Sequence, residues 1–235
     1  MEKVKKPLVG IVLKTILHTD LDGDWQKQIV NDEIRMAVIN NGGVPIGIIP
    51  AKNGVAFYGD DDGKDPTTLT VSEKDSLIAQ ISVCDGVILQ GGMNSDKFEE
   101  WIAKYCFEKD IPTLGICSGL NNMVRGLGGL CPKHGNLELH RDNHDKYDHN
   151  ITINKDSKLY EIIGKEKLYT NSIHSFAPTK VKDLTITAYA DDGIAEAVEA
   201  KSKRFYVGVK FHPELLYLED KFHNQIIKAF IKACK

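Results

Sequence analysis

Short apolar runs alternate with segments of helical periodicity through the first half of the chain. LVGIVL (8–13) is apolar throughout, with no polar face, and predicts a buried strand. A polar, glycine-containing loop is expected next. QKQIVNDEIRMAVINNGG (26–43) then places apolar residues at 29, 30, 34, 38 and 39, the spacing of one helical face, and closes on Gly42–Gly43. VPIGIIP (44–50) predicts the second strand. A long loop leads to SEKDSLIAQISVCDG, which reads as a helix opening on a serine cap. VILQGG (87–92) is a third strand ending in two glycines, SDKFEEWIAKYCFEKD an amphipathic helix, and PTLGI a fourth strand. Strand–helix pairs repeated in this way imply an open, mostly parallel sheet covered by helices on both faces, a three-layer α/β fold.

The pattern changes after residue 130. HNITI, KLYTNSIHS, LTITAYA, IAEAVEA and RFYVGVKF are short, alternating or β-branched runs separated by turn signals, notably Asp192–Gly193. They predict added, partly antiparallel strands, and LEDKFHNQIIKAFIKACK closes the chain as a helix. Neither a repeat nor a linker interrupts the sequence, so residues 1–235 are expected to form one domain.

Composition narrows the function without choosing it. The 235 residues are 42% hydrophobic and carry a net charge of −3 with both signs interspersed, which gives a full core and no basic stripe for nucleic acid. The apolar runs are too short to cross a bilayer, and the six apolar residues after MEKVKK are not expected to act as a secretory leader. Five cysteines, at 84, 106, 117, 131 and 234, form no disulfide framework, and a reducing cytoplasm is the expected location.

Candidate chemistry gathers where IPTLGICSGL turns from strand to helix. In open parallel sheets, ligands bind beyond the carboxyl ends of the strands, where Cys117 falls with a helix N-terminus behind it. Peptide dipoles there favour the thiolate. Gly115 and Gly119 permit a sharp turn, and the cysteine is either a small packing residue or a nucleophile. A nucleophile needs a base, and VGVKFHPELL supplies His212 at the end of another strand, with Glu214 two residues on. In extended chain that spacing puts both side chains on one side. Gly92 of LQGG and the N–H of Ser118 can form an oxyanion hole. Each part alone is an ordinary turn or packing residue, but their coincidence at strand ends favours catalysis.

These motifs resemble the class I glutamine amidotransferase-like superfamily, and within it the gamma-glutamyl hydrolases, including those acting on gamma-glutamyl-gamma-aminobutyrate. KPLVGIV, NNGGVPIGIIP, GVILQGG, PTLGICSGLNNMVRGLGG, LELHRD, HNITI, TNSIHSFA, DDGIAEAVEA and VGVKFHPE occur in family order along nearly the whole chain. The resemblance implies a flavodoxin-like fold, a Cys117–His212–Glu214 triad, an oxyanion hole of Gly92 and Ser118, and His174 lining the substrate pocket. It implies a small gamma-glutamyl substrate, no cofactor and no metal, and leaves a homodimer open. The alternative within the superfamily is a glutaminase subunit serving a partner synthase. Three departures bear on substrate: Ser118 stands where the hydrolases usually carry Arg, Ser175 where a second His is usual, and the segment after LQGG is short.

Two further features lie outside these motifs. Cys131 and His134 have half of a zinc spacing within a stretch that also holds His140, His144 and His149, but no second cysteine pair follows. Asp60, Asp61, Asp62 and Asp65 sit in the loop after the second strand, either solvated or selecting a cationic leaving group. Cys84, Cys106 and Cys234 are expected to be packing residues.

Overall fold

The computed structural model describes residues 5–21, 23–50, 68–92, 97–140 and 149–235. The aspartates at 60, 61, 62 and 65 and His144 lie outside them. The chain runs β1 (Leu8–Val12), β2 (Lys14–Asp20), β3 (Gly23–Ile29), α1 (Asp32–Asn40), β4 (Val44–Ile48), α2 (Val71–Ile81), β5 (Gly86–Leu89) and α3 (Lys97–Glu108). It continues through β6 (Thr113–Ile116), α4 (Ser118–Gly126), α5 (Leu137–His140), β7 (His149–Ile153), α6 (Lys158–Ile163) and β8 (Lys167–Thr170). The last elements are β9 (Thr185–Ala190), β10 (Ala195–Glu199), β11 (Tyr206–Val209), α7 (Pro213–Leu216) and α8 (Lys221–Ala233).

Nine strands form one sheet in the order β4-β1-β5-β6-β11-β10-β9-β7-β8. The strands from β4 to β11 in that order are mutually parallel, and β10, β9, β7 and β8 extend the sheet by antiparallel pairing. The central strands are apolar on both faces because both are covered. Val9, Ile11, Ile88, Leu114, Val207 and Val209 pack on one side with α1, α6 and α8. Val87, Leu89, Tyr206 and Val198 pack on the other with α2, α3 and α4. The three-layer α/β fold with added antiparallel strands is therefore the observed architecture.

Two local expectations change. The polar loop expected after β1 is a β2–β3 hairpin, paired from Lys14↔Ile29 to Asp20↔Gly23, so the following helix starts at Asp32 and not near residue 26. Helical spacing at residues 29 and 30 arose where strand meets helix. The second helix is capped by Thr70, whose side chain accepts from Glu73 N while Glu73 reaches back to Thr70 N; Ser72 lies inside the helix.

Parallel pairing brings the carboxyl ends of β5, β6 and β11 to one edge. Leu89 registers with Gly115, and Ile116 with Val209. Residues 90–92, Cys117 and 210–212 are thereby neighbours although they are far apart in sequence.

Candidate active site

Cys117 joins β6 to α4 with φ 53° and ψ −108°, a positive φ that non-glycine residues seldom adopt. Its N–H donates to Val209 O (2.8 Å), which ties the bend to β11, and its carbonyl accepts from Leu120 N (3.1 Å). Helix α4 can begin this close to the sheet because residue 119 is glycine: a Cβ there would overlap the Leu89 carbonyl oxygen. Cys117 is 7% exposed, and its Sγ lies 3.7 Å from Ile173 O.

His212 faces this cysteine from the end of β11. Its Nδ1 meets Glu214 Oε1 at 2.7 Å, which leaves Nε2 for the hydrogen bond it shares with the Cys117 sulfur. The backbone between His212 and Glu214 is not extended: His212 caps the short α7 and Pro213 opens it, so the carboxylate reaches the ring from the first helical turn. Burial alone would lower the imidazole's pKa, but the Glu214 carboxylate and the Cys117 sulfur outweigh it and raise the pKa to about 10. A charged ring between a carboxylate and a sulfur is the electrostatic arrangement of a thiolate–imidazolium pair.

Three residues that the motifs did not single out hold this arrangement. A Cβ on Gly91 would come within 2.7 Å of His212 Cε1 and 3.3 Å of the Cys117 Cβ, so glycine is what lets the ring and the cysteine approach each other. Asn171 grips the backbone of residue 212 from both sides, its Nδ2 donating to His212 O (3.1 Å) and its Oδ1 accepting from His212 N (2.8 Å). Gln90, fully buried, donates to Val12 O (2.8 Å) and Ile29 O (2.9 Å) and accepts from Asn31 N (3.0 Å). It thereby fixes the glycine pair to the ends of β1 and β3. The signal in the sequence was the polar residue between an apolar strand and two glycines.

Gly92, at φ +149°, and Ser118, the first residue of α4, lie at the carboxyl ends of neighbouring strands. Ser118 Oγ donates to Gln90 O (3.4 Å). Beside Gly92 runs the aliphatic stem of Lys14, whose ammonium is buried against Glu99 (2.7 Å).

His174 stands one residue beyond the carbonyl that faces Cys117, and both of its ring nitrogens have partners. Nε2 meets Glu196 Oε1 (3.1 Å), and Nδ1 meets His134 Nε2 (3.2 Å). Glu196 also has the rings of His140 and His149 at 3.4 Å. Among the described residues, His140, His149 and Glu196 offer three donor atoms within 4.8 Å of one another, whereas Cys131 and His134 form no such group. His140 already has a partner at each ring nitrogen. Its Nε2 faces the Asp192 carboxylate (2.9 Å). Its Nδ1 faces Ser172 Oγ (3.2 Å), whose own proton goes to His140 O (3.0 Å). The cluster is a hydrogen-bonded network around the buried Glu196 carboxylate, with Asp192 at its solvent edge.

The other cysteines differ from Cys117 in their surroundings. Burial raises Cys106 to about 12, and Cys234 likewise. Burial and Asp85 raise Cys84 to about 11. These are neutral packing thiols, and none of the five cysteines is joined in a disulfide.

A cysteine on a strand-to-helix bend, met by an imidazole from the next parallel strand, places the fold among the glutamine amidotransferase-like cysteine hydrolases. The chain belongs to the Peptidase C26 family, which it matches over residues 93–214. It is 24% identical to the gamma-glutamyl-gamma-aminobutyrate hydrolase of Escherichia coli, across all of this chain and 96% of that one. It is 27% identical to a glutamine amidotransferase-like protein of Rickettsia prowazekii, over 69% of this chain and 82% of that one. A 30% identity to the GMP synthase of Bacillus licheniformis covers 71% of this chain but only 30% of the synthase. The glutaminase domain of Trypanosoma brucei CTPS has the same fold, with a TM-score of 0.65 at 17% identity over 97% of this chain and 93% of that one. No helix among the described residues is long and apolar enough to cross a membrane.

Proposed function

We propose that the protein hydrolyses gamma-glutamyl amides through a thioester on Cys117. The observation that carries this reading is the His212 ring held 2.7 Å from Glu214 and hydrogen-bonded to the Cys117 sulfur. In the first step the sulfur attacks the gamma-carbonyl carbon and a C–S bond forms. The carbonyl oxygen takes up negative charge, which the N–H groups of Gly92 and Ser118 stabilise. The C–N bond then breaks as His212 passes its proton to the departing amine. In the second step His212 takes a proton from water, the hydroxide adds to the thioester carbon, and the C–S bond breaks to release glutamate. Glu214 keeps the ring oriented and balances its charge throughout. His174, one residue beyond the Ile173 carbonyl that contacts the sulfur, lines the substrate pocket in this reading.

The identity to a gamma-glutamyl-gamma-aminobutyrate hydrolase along the entire chain supports a stand-alone hydrolase. A glutaminase subunit that passes ammonia to a synthase is the second reading, supported by the likeness to part of a GMP synthase. Glutamate release from a panel of gamma-glutamyl amines and from glutamine separates them. The purified chain alone is expected to turn over gamma-glutamyl amines, and Cys117→Ala and His212→Ala to lose at least a thousandfold of that rate. Turnover of glutamine only after a synthase is added would replace the first reading with the second.

A further inference from the structure

Lys210 follows the last residue of β11, and its side chain is fully buried. A lysine in that setting ordinarily has a carboxylate against it, because an unpaired buried charge is expensive. Here Nζ donates to Cys117 O (3.2 Å) and to Asn121 Oδ1 (3.2 Å), and neither partner carries a charge. Across the sheet stands Glu196, placed opposite by the Lys210 N–H to Glu196 O bond (2.8 Å). Its Oε1 is turned to the rings of His174, His140 and His149. A buried positive charge thus rests on the nucleophile's own carbonyl.

We propose that Lys210 is a positioning residue for the nucleophile: its ammonium holds the carbonyl of the Cys117 bend and, with His212, supplies the positive charge that keeps the sulfur ionised. The inference rests on the reading of Cys117 as nucleophile. Ordinary bond lengths put the sulfur within about 8 Å of Nζ, and out of solvent a charge still acts over that range. The hydrogen bond also opposes relaxation of a residue held at φ 53°. The charged and titratable groups around the sulfur come from several elements. His212, with Glu214 behind it, faces it from the β11–α7 junction, and Lys210 lies at the end of β11. His174 follows the carbonyl that contacts the sulfur, and the paired Lys14 and Glu99 lie beside Gly92. Lys14 is neutralised by its partner and His174 is uncharged, which leaves His212 and Lys210 as the net positive groups.

The test reads the sulfur without substrate. Carbamidomethylation of Cys117 by iodoacetamide is followed against pH in the wild type, Lys210→Gln and Lys210→Arg, with peptide mapping to isolate residue 117. Gln keeps a donor and removes the charge, whereas Arg keeps the charge. The expected result is a midpoint about one pH unit higher in Lys210→Gln, hence about tenfold slower reaction at low pH, with Arg restoring most of the shift. Amide hydrolysis by Lys210→Gln should recover as pH is raised, which a purely structural defect would not do. Equal midpoints in wild type and Lys210→Gln overturn the proposal, and so does a Lys210→Gln protein that has lost its fold, because the lysine is then a packing element. An ordinary thiol midpoint in the wild type removes both this inference and the nucleophile itself. A displaced midpoint in a protein that cleaves no gamma-glutamyl amide leaves the inference standing and removes only the substrate reading.

Discussion

At the scale of single residues, the site depends on how closely an imidazole can approach a sulfur. Gly91 is the tightest constraint, because a methyl group there would sit 2.7 Å from His212 Cε1 and push the ring off the cysteine. Gly91→Ala is therefore expected to keep its fold and lose at least a hundredfold in kcat, since small misplacements of catalytic groups have effects of that order. Normal kcat in a variant with an intact circular dichroism spectrum would count against this. Glu214→Gln tests the electrostatics. Removing the carboxylate removes the principal cause that raises His212, so the alkaline limb of the kcat/KM profile should move down from near pH 10. A limb that stays in place would mean that Glu214 only orients the ring. The meeting of Cys117, His212 and Glu214 was legible in sequence because a candidate nucleophile, base and acid have few chemical identities, and these fall at strand ends. Asn171 and Lys210 were not, because their roles are to bind main-chain atoms, and nothing in a sequence says which backbone a side chain will meet.

At the scale of elements, the core strands were legible and their borders were not. Runs such as GVIL and TLGI have only one buried placement, since both faces of β5 and β6 are covered. The β2–β3 hairpin escaped because its outward positions are polar and its Trp25 is half exposed, so no apolar alternation marks it. The Thr70 cap was displaced by two residues because Thr70 and Ser72 are equally good caps, and only the reach of Glu73 decides between them. The seating of α4 on β5 gives an element-scale prediction. A side chain at position 119 would strike the Leu89 carbonyl, which cannot rotate away, so Gly119→Ala should destabilise the fold by about 2 kcal/mol or more. Thr70→Ala, which removes one cap on the surface, should cost only about 1 kcal/mol. Urea unfolding compares the two directly, and a Gly119 variant no weaker than the cap variant would show that α4 can lift from the sheet without harm.

At the scale of the whole molecule, the buried histidines set how stability depends on pH. Burial, with help from His140 and Lys210, lowers His134 to about 4, and burial lowers His174 to about 3 against the pull of Glu196. An unfolded chain protonates such residues near pH 6.5. Between there and pH 4 the unfolded state therefore binds more protons than the folded one, and stability must fall as pH is lowered through that window. His212 acts in the opposite sense. Raised to about 10, it contributes stability that is complete below pH 6.5 and lost as pH climbs towards 10. The two effects meet, so the fold should be most stable near pH 6.5 and weaken on both sides of it. Urea midpoints at pH 4.5, 6.5 and 9.5 would trace this curve. His134→Gln should flatten its acid side and His212→Gln its alkaline side, each leaving the other side unchanged. If the acid slope survives in His134→Gln, the proton uptake belongs to His174, to His223, which burial also lowers, or to carboxylates elsewhere. If it survives in His174→Gln as well, the histidine cluster has no part in it.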